Sequence, residues 1–257
     1  MDLLRFIVMC GMVCCISCSI KEDRDVCPCV LKLDLCDVDT SVVKVADLFL
    51  YGPGGYAFSG KLDVVDCGDI YEISVPRGEI KVLIHSGVEE EKAGTGGLEI
   101  PYGKDCPPVY MHASQIHASG ESVSEKIDMR KEHCVLTVHV RSEESFPFSL
   151  DFKGGVDGFG VDGMPSEGMF SYSVSLDQDY RCDVVLPRQT DDSLLLEISD
   201  GSEVVKVFAL GEYIAAAGYD WDERNLRDLT IGIDFILSQF SVVVQEWDEV
   251  IIYDVEI

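Results

Sequence analysis

The stretch DIYEISVPRGEIKVLIHS, residues 69–86, decides the fold class. Its first part, 69–75, alternates apolar and polar residues, which is the pattern of a half-buried strand. PRG at 76–78 is a short turn, and the apolar run at 79–86 predicts a second strand. Because similar patterns recur along nearly the whole chain, the sequence predicts an all-β protein.

Short strand patterns fill both halves of the chain, and no long helical pattern separates them. This spacing is typical of β-sandwiches. Two sets of about seven strands predict two sandwich domains joined near 124–132, although no tandem sequence repeat is visible. The other predicted strands lie at 30–35, 41–51, 61–65, 133–140, 146–152, 169–176, 181–187, 193–199, 203–210, 229–235, 241–247 and 249–257.

Three further stretches have weaker patterns. The polar segment 89–108 is broken by Gly and Pro, and we interpret it as a long loop. Residues 112–126 show only a weak pattern. One helical turn is plausible at 211–218, where Gly218 could end it.

The amino terminus has the features of a secretory leader. Residues 6–17 carry no charge and are too short to span a bilayer. A lipoprotein signal ends at a cysteine that follows a small residue, and Cys18 after Ser17 fits best. We therefore predict a signal peptide at 1–17, a lipidated Cys18 and a tether at 18–29. The alternative is an ordinary signal peptide cut nearby without lipid.

The chain is strongly acidic, with 47 acidic and 20 basic residues and a net charge of −27. A field of this sign repels phosphate backbones and anionic headgroups, so we predict no nucleic-acid partner. The chain is also 47% hydrophobic, which argues against disorder. Because the acidic residues are spread along the sequence, most of them are expected on the solvated face of the fold.

Cysteines suggest a metal site at one place only. CPC at 27–29, together with Cys36, could be interpreted as a set of zinc thiolates, but a fourth ligand at a familiar spacing is missing. Export would permit disulfides, and the odd number of cysteines after Cys18 leaves one free or paired between chains. Several cysteines, such as Cys134, have the sequence context of small buried apolar residues.

GFGVDG at 158–163 fits the spacing of a dinucleotide-binding motif. That motif requires a helix after the glycines, and the following MPSEG forbids one. We therefore predict an acidic, glycine-rich hairpin loop. Asp157 and Asp162 are weak candidates for a calcium site.

No arrangement typical of an enzyme is visible. His133 and His139 share a strand face but lie roughly 20 Å apart, and His112 and His117 point away from each other. Neither a metalloprotease nor a serine-hydrolase motif occurs. The sequence therefore predicts no enzymatic activity and no cofactor.

Three stretches together resemble the FimB-type fimbrial anchor lipoproteins of Bacteroidales. The first, CSIKEDRDVCPCVLKLDL (18–35), places a lipid-type cysteine before an acidic stretch and a strand. The second, ISVPRGEIKVLIHSG (73–87), is similar to a hairpin of the family, although His85 stands where an aromatic residue is common. The third and most specific is GYDWDERNLRDLTIGIDFILSQFSVVVQEW (218–247). The resemblance therefore covers nearly the whole chain after the leader.

The resemblance implies two transthyretin-like β-sandwiches, which we assign to 30–128 and 129–257. It implies an outer-membrane lipoprotein, anchored through the lipid on Cys18, that holds the base of a polymerised fimbria and limits its length. Acidic residues after the lipid cysteine accompany surface display in this family, and Lys21, Glu22 and Asp23 match that position. The expected partner is a major or accessory fimbrial subunit, which could add a strand to an exposed sheet edge.

The alternative function is that of a surface glycan-binding lipoprotein or a tip adhesin, for which exposed aromatic side chains are needed. Trp221 and Trp247 are the only tryptophans, and both are expected to pack at domain ends. The chain continues beyond Trp247 with a strand pattern at 248–257. We expect this strand to pair within its own chain, and the alternative is donation to a neighbouring subunit.

Overall fold

The computed structural model describes residues 27–87, 96–142, 148–234, 239–244 and 251–253, the last two ranges by their backbone alone. Within these ranges it contains eighteen strands and one α-helix. No helix in the described part of the chain is long and apolar enough to cross a membrane. The strands are β1 Cys29–Asp34, β2 Val45–Tyr51, β3 Ala57–Asp63, β4 Ile70–Val75, β5 Gly78–Ser86, β6 Leu98–Glu99, β7 Tyr110–Ala118, β8 Ser122–Lys126, β9 Arg130–Lys131, β10 His133–Arg141, β11 Ser149–Phe159, β12 Pro165–Ser175, β13 Arg181–Pro187, β14 Leu195–Ser199, β15 Val204–Phe208, β16 Leu229–Asp234, β17 Gln239–Val244 and β18 Ile251–Tyr253; helix α1 is Leu210–Ala216.

These strands form two β-sandwiches. The first packs the sheet β4-β1-β8 against the sheet β3-β2-β5-β7-β9. The second packs the sheet β13-β10-β16-β17-β18 against the sheet β12-β11-β14-β15, and β6 adds to this last sheet by pairing with β11. The prediction of an all-β protein built from two sandwiches is confirmed.

Both sandwiches have the same topology, which the sequence does not reveal as a repeat. If the strands of each sandwich are counted in chain order without β6, one sheet begins with the fourth, first and seventh strands. The other sheet begins with the third, second, fifth and sixth. In both, the first and seventh strands pair in parallel, as β1 with β8 and β10 with β16. This is the transthyretin-like arrangement that the resemblance implied.

The turn at 76–78 joins the two sheets of the first sandwich. β4 pairs with β1, whereas β5 pairs with β2 and β7, so the strands on either side of the turn do not form the hairpin that the resemblance suggested. Two adjacent strand patterns in a sequence fix a reversal of the chain. They do not fix whether the reversal stays within one sheet.

The sheet that contains β2 and β5 is buried on both faces. Leu48 and Leu50 on β2 face the core of the first sandwich. Phe49 on β2 and Leu83 on β5 face the other way and join the core of the second sandwich. This double burial explains the nearly continuous apolar runs in these strands, and it makes the outer face of the sheet the contact surface between the two sandwiches.

Two stretches with weak sequence patterns have defined structures. Residues 112–126 belong to β7 and β8. Helix α1 occupies the predicted helical turn, and Gly218 beyond it has a φ of +80°. β9 lies beyond the boundary we expected at residue 128 and pairs with β7 of the first sandwich.

Candidate functional site

Segment 96–109, which we call the closing segment, covers two sheet edges of the second sandwich. The backbone N–H of Gly103 donates to the carbonyl of Ser171 on β12 at 2.8 Å. The backbone N–H of Cys106 donates to the carbonyl of Val185 on β13 at 3.3 Å. Because β12 and β13 are the edges of the two facing sheets, the segment closes one side of the sandwich.

A carboxylate fastens the closing segment to β13. Oδ1 of Asp105 accepts a hydrogen bond from the backbone N–H of Val185 at 3.0 Å. Burial of this group raises the pKa of Asp105 to about 6, and the hydrogen bonds from backbone N–H groups oppose that shift only in part. Near neutral pH the segment is therefore held by a charged, partly desolvated carboxylate.

The opposite side of the same sandwich presents an apolar edge strand on which no other described strand pairs. β15 ends its sheet and, among the described strands, pairs only with β14. Val204, Val205 and Val207 on this strand are 51%, 45% and 56% exposed. An exposed apolar edge is a template for pairing with another chain, and proteins usually protect such edges with charge or cover.

The other edge strands with described side chains do not share this composition. β3 exposes Ser59, Lys61 and Asp63, and the exposed residues of β8 are Ser122, Ser124 and Lys126. None of these edges exposes more than one large apolar side chain. The alternation at 203–210 predicted a strand there, but a pattern of apolar residues does not say that a strand lies at an edge, so the sequence could not single out β15.

The predicted glycine-rich hairpin loop is confirmed as the turn between β11 and β12. Its tip contacts the first sandwich, because a Cβ atom built on Gly163 would lie 2.5 Å from the Cβ of Ala113 on β7. Gly163 also has a φ of +74°, which side chains other than glycine rarely adopt. The loop therefore serves as a contact between the two sandwiches.

The two weak calcium candidates have separate surroundings. Asp157 lies on β11, with its carboxylate over Gly168 on β12, where any larger residue would collide with it. Oδ1 of Asp162 lies in the turn and accepts a hydrogen bond from the N–H of Met164 at 3.1 Å. Within the described residues, no group of three or more His, Cys, Asp or Glu side chains could hold a metal ion.

A buried arginine ties the junction of the sandwiches together. Arg188, just after β13, donates from Nε to a carboxylate oxygen of Glu132, and both side chains are buried. The same guanidinium donates to the carbonyls of Lys131, Trp221, Glu223 and Arg224. Nothing in the local sequence of Arg188 distinguishes it from a surface arginine.

The loop 218–228, which we call the junction loop, holds the link between the domains. The side chain of Asn225 accepts a hydrogen bond from the N–H of Lys131 at 3.0 Å. Asp228 forms an ion pair with Lys131 at 2.5 Å and accepts the N–H of Val135 at 2.8 Å. These contacts fix 131–135 at the point where the first sandwich passes into the second, which gives the junction loop a structural role.

The aromatic residues of the junction loop are turned inward. Trp221 is only 7% exposed and packs edge-on against Tyr219, with ring centroids 4.9 Å apart. This confirms the expectation for Trp221, whereas Trp247 lies outside the described residues. The most exposed aromatic residue that the structure describes is instead Tyr102, in the closing segment, at 69%.

His112, His117 and Cys134 are placed as the sequence suggested. His112 is buried and His117 is exposed beside Glu79, so the two point to opposite faces of β7. Cys134 is fully buried, and this burial raises the pKa of its thiol to about 12. All seven cysteines in the described residues are free thiols. Cys18 and Lys21-Glu22-Asp23 lie outside the described residues.

No family model and no curated protein matches this chain. Solved structures do match. A Bacteroides thetaiotaomicron protein whose proposed role is polysaccharide binding superposes with a TM-score of 0.67, covering 89% of this chain and 98% of its own, at 14% identity. A Bacteroides ovatus protein proposed to be an adhesin superposes with a TM-score of 0.62, covering 93% of this chain and 98% of its own, at 14% identity.

The fimbrial anchor protein Mfa2 from Porphyromonas gingivalis also shares the fold. It superposes with a TM-score of 0.62, covering 86% of this chain and 98% of its own, at 12% identity. The chain therefore has the fold of fimbrial anchor and adhesion proteins of Bacteroidales, as the resemblance implied. Identities of this size show the fold and leave the function to be argued from the residues.

Proposed function

We propose that this chain is an outer-membrane lipoprotein that anchors the base of a polymerised fimbria and limits its length by binding a fimbrial subunit through strand addition. In this proposal the lipid on Cys18 attaches the chain to the membrane, and Lys21-Glu22-Asp23 directs it to the cell exterior. The observation that carries the proposal is an apolar sheet edge, on which no further described strand pairs, in a pair of sandwiches with the fold of a fimbrial anchor.

Strand addition suits this architecture because an edge strand offers unpaired backbone groups. An incoming extended segment gains affinity from main-chain hydrogen bonds and specificity from alternate side chains. Within the described residues no group of His, Cys, Asp or Glu side chains could hold a metal ion, and the solved proteins with this fold are named for adhesion or fimbrial roles. These observations therefore favour a function in which the sheets bind another protein.

The junction also fits an anchor. Arg188 and the junction loop hold residues 131–135, where the first sandwich passes into the second, through hydrogen bonds that include the buried one from Arg188 to Glu132. The outer face of the β2–β5 sheet adds an apolar contact through Phe49 and Leu83. A protein that joins a membrane tether to a fibre benefits when its two domains keep a fixed relation.

The test is affinity purification of the tagged lipoprotein from its native outer membrane, followed by mass spectrometry. We expect fimbrial subunits to be enriched relative to a tagged lipoprotein of unrelated fold from the same membrane. Absence of fimbrial subunits, with the protein instead retained on a glycan resin, would contradict the proposal.

Glycan binding is the second candidate, and one observation favours it. Tyr102 is strongly exposed, and it lies near Lys153, which pairs with Glu197 at 2.7 Å. An exposed ring beside polar groups can stack on a sugar. Loss of retention on a glycan array in the Tyr102→Ala variant, but not in Tyr102→Phe, would support this function.

A further inference from the structure

Any strand addition to this chain must use an edge that is both accessible and chemically suited to pairing. In the second sandwich, the closing segment occupies the edges of β12 and β13 through Gly103 and Cys106. In the first sandwich, the exposed side chains of β3 and β8 are mainly polar or charged. Charged edge residues are a common means of preventing edge-to-edge association.

β15 differs from these edges, because no described segment pairs on its outer side and its one charged residue, Lys206, is only partly exposed. It has one described partner strand, and three of its five residues are exposed valines. β-branched residues favour extended backbone and pack well on a pleated neighbour. We propose that β15 is the acceptor edge, on which an extended segment of a fimbrial subunit pairs as the next strand of the sheet β12-β11-β14-β15. This inference rests on the proposed function and adds the position of the binding site.

The surroundings of β15 define the chemistry of the occupant. The turn before the strand exposes Asp200 and Glu203. Hydrogen bonds from the backbone N–H groups of Glu203 and Ser202 lower the pKa of Asp200, so its carboxylate is charged at neutral pH. The segment that fits therefore alternates β-branched apolar and polar residues, and it carries Lys or Arg beside this acidic turn.

Charge also argues against a second copy of the same chain as the occupant. Each copy carries a net charge of −27, so two copies repel each other at long range. A subunit segment with basic residues is attracted by the same field. The acceptor edge is therefore assigned to a different protein.

The first experiment places a photo-crosslinking amino acid at 205 or 207 in the full chain, in its native membrane, with position 59 on β3 as the matched control. We expect crosslinks from 205 and 207 to an alternating segment of a fimbrial subunit, and none from 59. Crosslinks from 205 and 207 to a second copy of this chain, or subunit crosslinks from position 59 alone, would overturn the assignment.

The second experiment compares Val205→Lys/Val207→Lys with Ser122→Lys/Ser124→Lys on the β8 edge. All four positions are exposed or partly exposed edge residues, so both variants are expected to keep the wild-type melting temperature. The β15 variant should retain the subunits identified with the wild type at least tenfold less, whereas the β8 variant should retain them fully. If wild type and both variants capture subunits equally, the edge assignment is wrong while the proposed function stands. If the wild type captures none, both fail.

Discussion

The guanidinium of Arg188 and the carboxylate of Glu132 form an ion pair that is buried where the two sandwiches meet. Removing one partner of such a pair leaves the other charge buried without compensation. The Arg188→Met variant should therefore lose about 3–5 kcal/mol of unfolding free energy, measured in urea.

A matched control is Arg181→Met. Arg181 pairs with Asp183 at 3.0 Å, but both side chains are about half exposed, so the loss should stay below about 1 kcal/mol. Equal effects of the two substitutions would show that the buried pair has no special role at the junction.

The closing segment should respond to pH through Asp105. Its pKa in the folded protein, about 6, is above the ordinary value of 3.8, so the folded state binds the proton more tightly than the unfolded state. The contribution of this group to stability is therefore most favourable below pH 4, falls as the pH rises to 6, and is constant above.

Asp105→Asn keeps an acceptor for the N–H of Val185 and removes the charge. The unfolding free energy of the variant minus that of the wild type should increase between pH 4 and pH 6 by at most about 3 kcal/mol. The increase should be smaller than this limit, because the Asp105 side chain is partly exposed to solvent. Thermal unfolding of both proteins across this pH range checks the prediction, and a constant difference between them would contradict it.

The hairpin tip at Gly163 tests the contact between the sandwiches. Gly201→Ala is the control, since Gly201 has a φ of +88° and no atom near a built Cβ, and it should cost about 1–2 kcal/mol from backbone strain alone. Gly163→Ala adds a clash with Ala113 and should cost about 1–3 kcal/mol more. Chemical denaturation of the two variants measures the difference, and equal losses would exclude a tight contact at this tip.

The carboxyl-terminal strand pairs within its own chain in this structure. β18 pairs antiparallel with β17, with Ser241 opposite Ile252. Deleting 248–257 should therefore destabilise the second sandwich by a few kcal/mol, on the order expected for a lost apolar strand. A truncated protein with an unchanged melting temperature that no longer binds subunits would indicate strand donation instead.

Attachment to the membrane should depend on Cys18. Cys18→Ala should abolish labelling by a palmitate analogue. The variant should either be released from the membrane or remain as an uncleaved precursor, because lipid chains on Cys18 are expected to hold the mature protein there. Replacement of Lys21-Glu22-Asp23 by alanines should preserve the label and reduce protease accessibility on whole cells. Continued labelling of the Cys18→Ala protein would assign the lipid to another cysteine.

Much of the architecture could be predicted from strand patterns. The alternating residues at 30–35 and the apolar run at 79–86 identified β1 and β5, because a period of two and a β-branched composition report directly on local backbone and burial. β8 was missed, since Ser122–Lys126 is an edge strand with a mainly polar exposed face and little apolar signal.

The candidate site was less accessible to prediction, because its properties arise from relations between distant segments. Val205 and Val207 are ordinary strand residues until the sheet order leaves β15 at an edge. Arg188 acquires its role only when the junction loop brings the carbonyls of Trp221 and Glu223 to it. Single-sequence periodicity carries no information on such pairings.

The parallel pairing of β1 with β8 has a mechanical consequence. In the proposed anchor, tension from the membrane would enter the first sandwich at Cys29, the start of β1, and would act on Lys126, the end of β8, through the chain that follows it. These two points lie at opposite ends of the shared ladder. A pull along this line acts in shear, so the hydrogen bonds between the strands resist together instead of opening one after another. In the proposed anchor, a pull from the fibre would therefore be shared by all the hydrogen bonds between β1 and β8 at once.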